Sequence, residues 1–321
     1  MSILITGVAG FVGVNLAQAL LARGERVVGF DNLSRGSEAN LAPIRENSAF
    51  RFSVVHLDNL DRYREILRSE HESDPITEVW HMAANSDIPG GIADSDVDLR
   101  DTFLTTYNTL VLMRELQIPT IAFASSSAVY GDLGGRQLNE DVGPLFPISN
   151  YGAMKLASEA AISAALESYL QRALIFRFPN VLGVPATHGV ILDFVRKLKA
   201  TPMRLDVLGN GTQQKSYMHV EELVDAMLFI SERSSDVLSF FNIGAMDKGV
   251  TVRFIAEAVR DRLSPKASIA FGAGEKGWIG DVPRFTYSVD KLAALGWRPR
   301  FGSAETVRRA IDQIVEQEGY P

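Results

Sequence analysis

The chain contains no cysteine. Disulfide frameworks, thiolate metal sites and a cysteine nucleophile are therefore excluded together. The absence fits a reducing compartment, and a cytoplasmic location is the expectation. Histidine is also sparse. The five are His56, His71, His81, His188 and His219, and none forms HxxxH or HExxH, so no metal site is expected. No apolar run reaches the roughly 18 residues that would span a bilayer. Met1–Gly13 lacks a basic region ahead of its apolar stretch and is broken by glycines, unlike a signal peptide. Positive charge is in deficit: 32 Lys and Arg against 39 Asp and Glu leave a net charge of −7. That balance gives no footprint for nucleic acid or an anionic membrane. What remains is ordinary for a globular chain, with 46% hydrophobic and 22% charged residues, which argues against disorder or low complexity.

At 321 residues, two units are the natural division. Strand-like and helix-like segments alternate through the first half. Ser2–Thr6, Val27–Phe30, Arg51–His56, Thr77–His81, Thr120–Ser125 and Ala173–Phe178 read as strands. Phe11–Arg23, Leu60–Ser69, Thr102–Gln117 and Tyr151–Gln171 read as helices. The alternation predicts an α/β fold with a doubly wound parallel sheet covered by helices on both faces. After Phe178, Pro179, Gly183, Pro185 and Gly189 mark a departure from the sheet. Helices are expected at Val190–Lys199, Glu221–Ser231, Val252–Arg262 and Ala304–Glu318. Strands are expected at Leu205–Leu208, Ser216–Val220 and Ser239–Ile243, and a loop over Gly272–Pro283.

Thr6-Gly7-Val8-Ala9-Gly10-Phe11-Val12-Gly13 lies between the first strand and the first helix. Glycines so spaced permit a tight turn, close approach of a pyrophosphate and close helix–strand packing. The helix start presents unpaired N–H groups and the positive end of its dipole to phosphate. Asp31 closes the second strand 18 residues after Gly13, where an acid is suited to the adenosine ribose hydroxyls. A carboxylate there repels a 2′-phosphate and favours NAD over NADP, although Arg35 nearby could accommodate that phosphate. The bland alternative is a glycine-rich turn with a surface aspartate.

Ser125-Ser126-Ser127-Ala128-Val129-Tyr130-Gly131 follows a strand directly, at the sheet edge where doubly wound folds hold their ligands. Tyr151 and Lys155 stand four apart at a helix start and share a face. An ammonium beside a phenol favours the phenolate, a general base for an alcohol. Tyr287 and Lys291 repeat the YxxxK spacing without a hydroxyl-bearing strand end before them, and read as structural.

Thr6–Gly13, His81-Met82-Ala83-Ala84, Ser125–Gly131, Tyr151–Lys155 and Arg177-Phe178-Pro179-Asn180 together resemble the extended short-chain dehydrogenase/reductases. Within these the chain is similar to the NAD-dependent nucleotide-sugar epimerase/dehydratase family, UDP-galactose (UDP-glucose) 4-epimerases especially. His188-Gly189-Val190-Ile191, Leu208–Val220 and Gly277–Pro283 resemble the family's sugar-nucleotide half. The resemblance implies a Rossmann-type domain over 1–178 plus about 217–245. It implies a smaller nucleotide-sugar lobe over about 179–216 and 246–321. It implies tightly bound NAD in contact with Gly7, Gly10, Phe11, Val12, Gly13, Asp31, Asn32, Ser34, Arg35, Gly36, Asp58, Asn59, Ala83, Ala84, Tyr151 and Lys155. Ser126 would be the catalytic hydroxyl, Tyr151 the base and Lys155 the partner of the nicotinamide ribose. Asn180, Val190, Lys215, Asp281 and Arg284, with Ser126 and Tyr151, would meet a UDP-sugar. A homodimer built on the two long helices is also implied.

Departures from the family pattern stand beside these matches. Lys215 replaces a usual arginine and loses its bidentate fork. Thr102 stands where an asparagine is usual, and Trp278 stands for another arginine, for which Arg284 could compensate. Ser127 and Ala128 follow Ser126, where dehydratases of the family carry an Asp-Glu pair and decarboxylating members a glutamate. The resemblance therefore favours epimerisation at C4. Dehydratase, decarboxylase and reductase activities on another nucleotide sugar are the alternatives, and a non-catalytic NAD-binding regulator is the alternative of another class.

Three further features carry little. Asp94, Asp96 and Asp98 mimic a calcium loop but lack its glycine and glutamate, and are expected to lead into the helix or lie in solvent. Gly209–Ser216 falls one residue short of a P-loop. Trp278 and Trp297 could be pocket walls or core.

Overall fold

The computed structural model describes residues 1–274, 282 and 284–320. The chain forms two compact units. Met1–Gly131, Pro144–Arg177 and Met227–Phe241 make the first; Asp132–Gly143, Phe178–Ala226 and Asn242–Pro321 make the second.

Short, β-branched, doubly buried segments build a seven-stranded parallel sheet. Its strands are β1 (Ser2–Thr6), β2 (Val27–Asp31), β3 (Phe50–Val54), β4 (Ile76–His81), β5 (Thr120–Ser126), β6 (Arg172–Phe178) and β7 (Leu238–Asn242). Every residue of β1 and β2 is buried, as a sheet covered on both faces requires. The strand order is β7-β6-β5-β4-β1-β2-β3. After β3 the chain crosses to the other side of β1, so β1 and β4 are neighbours, with Thr6 level with His81. The crevice at their carboxyl ends is the switch point where such sheets bind ligands.

The helices that serve this unit are α1 (Phe11–Ala22), α2 (Leu60–Ser73), α3 (Thr105–Glu115) and α4 (Asn150–Leu166). Leu4, Phe30, Tyr63, Val79, Phe123 and Ile162 belong to its core. The helix expected at Thr102–Gln117 is instead a π-helical turn, Leu99–Leu104, followed by α3. Threonines explain the break in register. The Thr102 carbonyl accepts from the hydroxyls of Thr105 (3.1 Å) and Thr106 (3.0 Å), and such back-bonding loosens the i→i−4 ladder. The second long helix ends at Leu166 rather than Gln171, because the Tyr169 and Leu170 amides both turn back to the Ala165 carbonyl.

In the second unit, helices Val190–Ala200, Val252–Leu263 and Ser303–Gln317 enclose Ile191, Phe194, Leu205, Ile255, Val307 and Ile311. Asp132–Gly143, assigned to the first domain on sequence, folds here. Gln137–Leu138 pairs in parallel with Thr286–Tyr287, a non-local ladder with no local signal. Strand Ser268–Phe271 and helix Asp290–Leu295 were not anticipated; both are short. Most of the expected loop Gly272–Pro283 lies outside the described residues.

Asn242 ties three of these segments together. Its side-chain nitrogen donates to the Leu138 and Ser288 carbonyls (both 3.1 Å), its Oδ1 accepts from the Tyr287 hydroxyl (3.0 Å), and its amide donates to Glu140 (2.8 Å). Tyr287 is thus buried in a structural bond, in keeping with its reading as non-catalytic. Truncating Asn242 strands these buried groups at about 1–3 kcal/mol each. Asn242→Ala is predicted to lower the urea midpoint substantially, whereas an exposed neighbour such as Lys248→Ala should leave it within error.

Candidate active site

The glycine turn leaves β1 and enters α1 without room for side chains. A Cβ on Gly13 would lie 2.1 Å from the Gly7 carbonyl oxygen. One on Gly7, whose φ is +70°, would lie 2.7 Å from the Ala83 amide. Backbone is therefore packed on backbone at the switch point. No side chain caps the start of α1, and its first turn holds no acid. Phe11 and Val12 thus open a helix whose N-terminal amides and dipole are available to an anion.

Asp31 closes β2 and is buried. Its Oδ2 accepts from the Ala9 amide (2.9 Å) and its Oδ1 from the Leu33 amide (2.8 Å). Burial raises its pKa, and these amides oppose the rise. Asn32 Oδ1 binds the Ser34 amide (3.0 Å) and hydroxyl (2.7 Å), shaping the loop that follows. Gly36 backs closely onto the Ala9–Gly10 backbone. Arg35 is exposed and lies 3.4 Å from Asp87. Ser34, Arg35, Ala84 and Asn85 line one cleft, so the loop after β2 and the loop after β4 face a common space. Uncapped helix start, glycine-tight turn and acid at the end of β2 suit a dinucleotide's pyrophosphate and ribose. The loop between β3 and α2 is less committed. Asn59 caps α2 by accepting from the Arg62 amide (3.2 Å), and the Asp58 carbonyl accepts from Asn108 (3.2 Å).

The catalytic candidates come from β5 and α4. Ser126 ends β5, and its Oγ accepts from the Ala128 amide (3.2 Å). Ser149 caps α4 through the Gly152 amide (3.1 Å), which fixes where the helix starts. Tyr151, Lys155 and Glu159 then follow at successive turns of one face. Ser126 bears on Tyr151 as well, holding the rise of its phenol in check. Lys155 is 2% exposed. Its Nζ donates to the Ala124 carbonyl (2.5 Å) and lies over the Phe123 ring at 4.6 Å.

The expected lysine effect on the phenol is corrected here. Burial pushes Tyr151 up to about 12, with the Ser126 bond opposing and Asp98 reinforcing. The Lys155 ammonium stands 5.8 Å from the ring centre and is turned to Ala124. Burial also brings Lys155 down to about 7, against the pull of Glu159 and Asp98.

Several buried groups escaped the sequence reading. Glu159 accepts from Arg177 Nε (2.9 Å) and Nη2 (2.6 Å) and from the Ser125 hydroxyl. Arg177 also donates to the Tyr130 hydroxyl (3.1 Å). The spacing of Glu159 from Lys155 was legible; its bridge to β6 was not. His81 lies between Thr6 (Nδ1, 2.8 Å) and Thr106 (Nε2, 3.1 Å), and burial holds it near 3, hence neutral. Asp98 is fully buried and bonded by Asn85 Nδ2 (2.9 Å); of its two expected places it takes the one leading into the helix, not the one in solvent. Thr102, also buried, accepts from the Asn85 amide (3.2 Å).

The remaining candidates fall in the second unit. Asn180 opens a short strand paired with Tyr217, and Val190 is the first residue of its helix. Lys215 pairs with Val250. Arg284 bridges to Gln214, and its Nε donates to the Thr212 carbonyl (3.3 Å). Trp297 is core, its indole bonded to Asp225 (2.8 Å). Asp281 and Trp278 lie outside the described residues. No cluster able to hold a metal ion exists among the described residues, and no described helix is long and apolar enough to cross a membrane.

Comparison with known proteins agrees on the family. A sequence model of the NAD dependent epimerase/dehydratase family matches residues 3–244. A putative UDP-glucose 4-epimerase of Methanocaldococcus jannaschii is 26% identical over 97% of each chain. The crystal structure of a UDP-galactose 4-epimerase superposes with a TM-score of 0.86 at 32% identity, covering 99% of each chain. The UDP-glucose 4-epimerase of Thermus thermophilus, in complex with NAD, gives 0.83 at 29%, covering 98% of this chain and 99% of its own.

Two measurements probe the site. Gly13→Ala is predicted to lower NAD affinity at least about tenfold, read by calorimetry on protein stripped of cofactor, because the turn must open to admit the methyl. Lys155 is predicted to titrate near 7 in the stripped protein, read from its 13Cε shift. Unfolded, it holds its proton to about 10.5. Its contribution to stability is therefore greatest above that value and declines as pH falls toward 7.

Proposed function

The chain belongs to the NAD dependent epimerase/dehydratase family, and on that premise we propose that it interconverts the C4 epimers of a UDP-sugar. NAD is the cofactor. The observation that supports the reading most is Lys155, one turn on from Tyr151 in α4 and held by the Ala124 carbonyl of β5, the strand that ends in Ser126. Tyr151 takes the proton of the sugar 4-hydroxyl. Ser126 holds the same oxygen and relays the proton back. When bound, NAD supplies a reversible hydride acceptor for C4 and a cationic ring that favours the Tyr151 phenolate. That second contribution matters here, since burial alone leaves the phenol protonated at neutral pH. Lys155 grips the ribose beside the ring and, when protonated, adds positive charge near Tyr151.

Inversion requires the 4-keto sugar to present its other face, so the grip must fall on the nucleotide and diphosphate. Asn180, Val190, Lys215, Asp281 and Arg284 are assigned to that grip. Lys215 offers a point charge in place of a fork, with Arg284 supplying planar donors. Ser127 and Ala128 provide no acid or base for eliminating water, which favours epimerisation over dehydration.

The test is to mix purified protein, without added cofactor, with UDP-galactose, UDP-N-acetylgalactosamine and UDP-glucuronate separately and to follow the sugar protons by NMR. The C4 epimer is expected from at least one. No conversion in any, even with NAD supplied, would transfer the assignment to another nucleotide sugar or to NAD binding alone. Tyr151→Phe is predicted to lower turnover by at least about a hundredfold while retaining NAD; undiminished turnover would remove Tyr151 from the role of base.

A further inference from the structure

The first unit buries four ionisable side chains around α4: Asp98, Lys155, Glu159 and Arg177, each under 9% exposed. Two of them satisfy each other. Arg177 meets Glu159 through two parallel hydrogen bonds, so the nearest carboxylate along α4 from Lys155 has its charge already matched. Lys155 has a carbonyl and an aromatic face for partners, neither of which carries a full negative charge. Asp98 is the complementary case. Its Oδ1 accepts from Asn85, while its Oδ2 is buried without a hydrogen-bond partner among the described residues.

The fold holds Asp98 firmly. It ends the short helix Ser95–Asp98, which packs against α4. A Cβ on Gly91 would lie 1.8 Å from its Oδ2, so the glycine is what lets the carboxylate in. The Gly91 carbonyl accepts from Asn150, the residue before Tyr151 (2.9 Å). Asn85 links the same carboxylate to the Asp87 carbonyl (3.1 Å) and, through its amide, to Thr102. Burial raises the Asp98 carboxyl and the neighbouring Asp101 and Asp87 add to the rise, while the Asn85 bond and the Lys155 ammonium favour its anion. The charged groups acting on Lys155 are Glu159 and Asp98.

We propose that Asp98 is a positioning residue of the active site, the separated counter-charge that keeps the buried Lys155 ammonium charged. The two buried pairs then divide the work. Glu159 and Arg177 fasten α4 to β6 by contact. Asp98 acts across a gap and leaves Lys155 free to turn to a ligand. The inference rests on the role given to Lys155 above, and its test needs no substrate.

Protein labelled with [ε-13C]lysine is stripped of NAD and titrated, the Lys155 signal being identified by its loss in Lys155→Arg. In Asp98→Asn, or Asp98→Ser should the amide not pack against Gly91, the Lys155 midpoint should fall by about half a pH unit or more, a roughly threefold loss of proton affinity. Asp98→Glu should restore most of it. The alkaline limb of turnover should move with the NMR midpoint in the active protein. An unmoved or raised midpoint in a folded neutral variant overturns the proposal. Unfolding of both neutral variants would assign Asp98 to folding instead and equally overturn it. If the midpoint falls as expected but no UDP-sugar is turned over, the reaction assignment fails and this inference stands.

Discussion

A lysine ammonium held out of water sets the terms for this active site. Lys155 is 2% exposed, and burial brings its proton affinity down to near neutrality. A cation in that position persists only where carbonyl dipoles, ring faces and opposite charges replace the lost solvation. The Ala124 carbonyl and the Phe123 ring supply the first two. Both belong to β5, the strand that also delivers Ser126. Strand and helix therefore have to meet in one register for serine, tyrosine and lysine to converge.

That register is fixed by bonds that do no chemistry themselves. Ser149 sets the start of α4, and the Glu159–Arg177 pair fastens the same helix to β6 two turns later. On its other flank, Ser158 of α4 donates to Thr106, which meets His81, which meets Thr6 before the glycine turn. His81 stays neutral along this path, so it orients without adding charge. The glycine turn and α4 are thus joined by a continuous buried hydrogen-bonded path. On the proposed reaction such fixed geometry matters, since misplacement by an ångström is costly in rate.

The phenol illustrates why sequence spacing and electrostatic effect are different things. Spacing places Tyr151 and Lys155 on one face, as the structure shows. It does not fix where the ammonium points, and the ammonium points to a carbonyl while burial pushes the phenol up to about 12. The phenol therefore keeps its proton unless positive charge is placed beside it. The Asp residues at 94, 96 and 98 make a similar point. Their alternation mimics a calcium loop and fits a run that leads into the helix or lies in solvent, and a glycine at 91 opens a space that takes one of the three fully inside.

The sequence by itself determined the alternating α/β pattern, the glycine turn with Asp31 and the helical face shared by Tyr151 and Lys155. These are short-range signals: periodicity, glycine spacing and i, i+4 geometry act within a few residues of themselves. Only the tertiary structure decided that Asp132–Gly143 pairs with Thr286–Tyr287 and that threonines convert the start of the third helix into a π turn. It alone decided that Glu159 is matched by Arg177 while one Asp98 oxygen has no hydrogen-bond partner among the described residues. The strand pairing and the Glu159–Arg177 match depend on residues far apart in the chain, and burial, which shifts Tyr151 and Lys155, is a property no single position possesses until the sheet has closed over it.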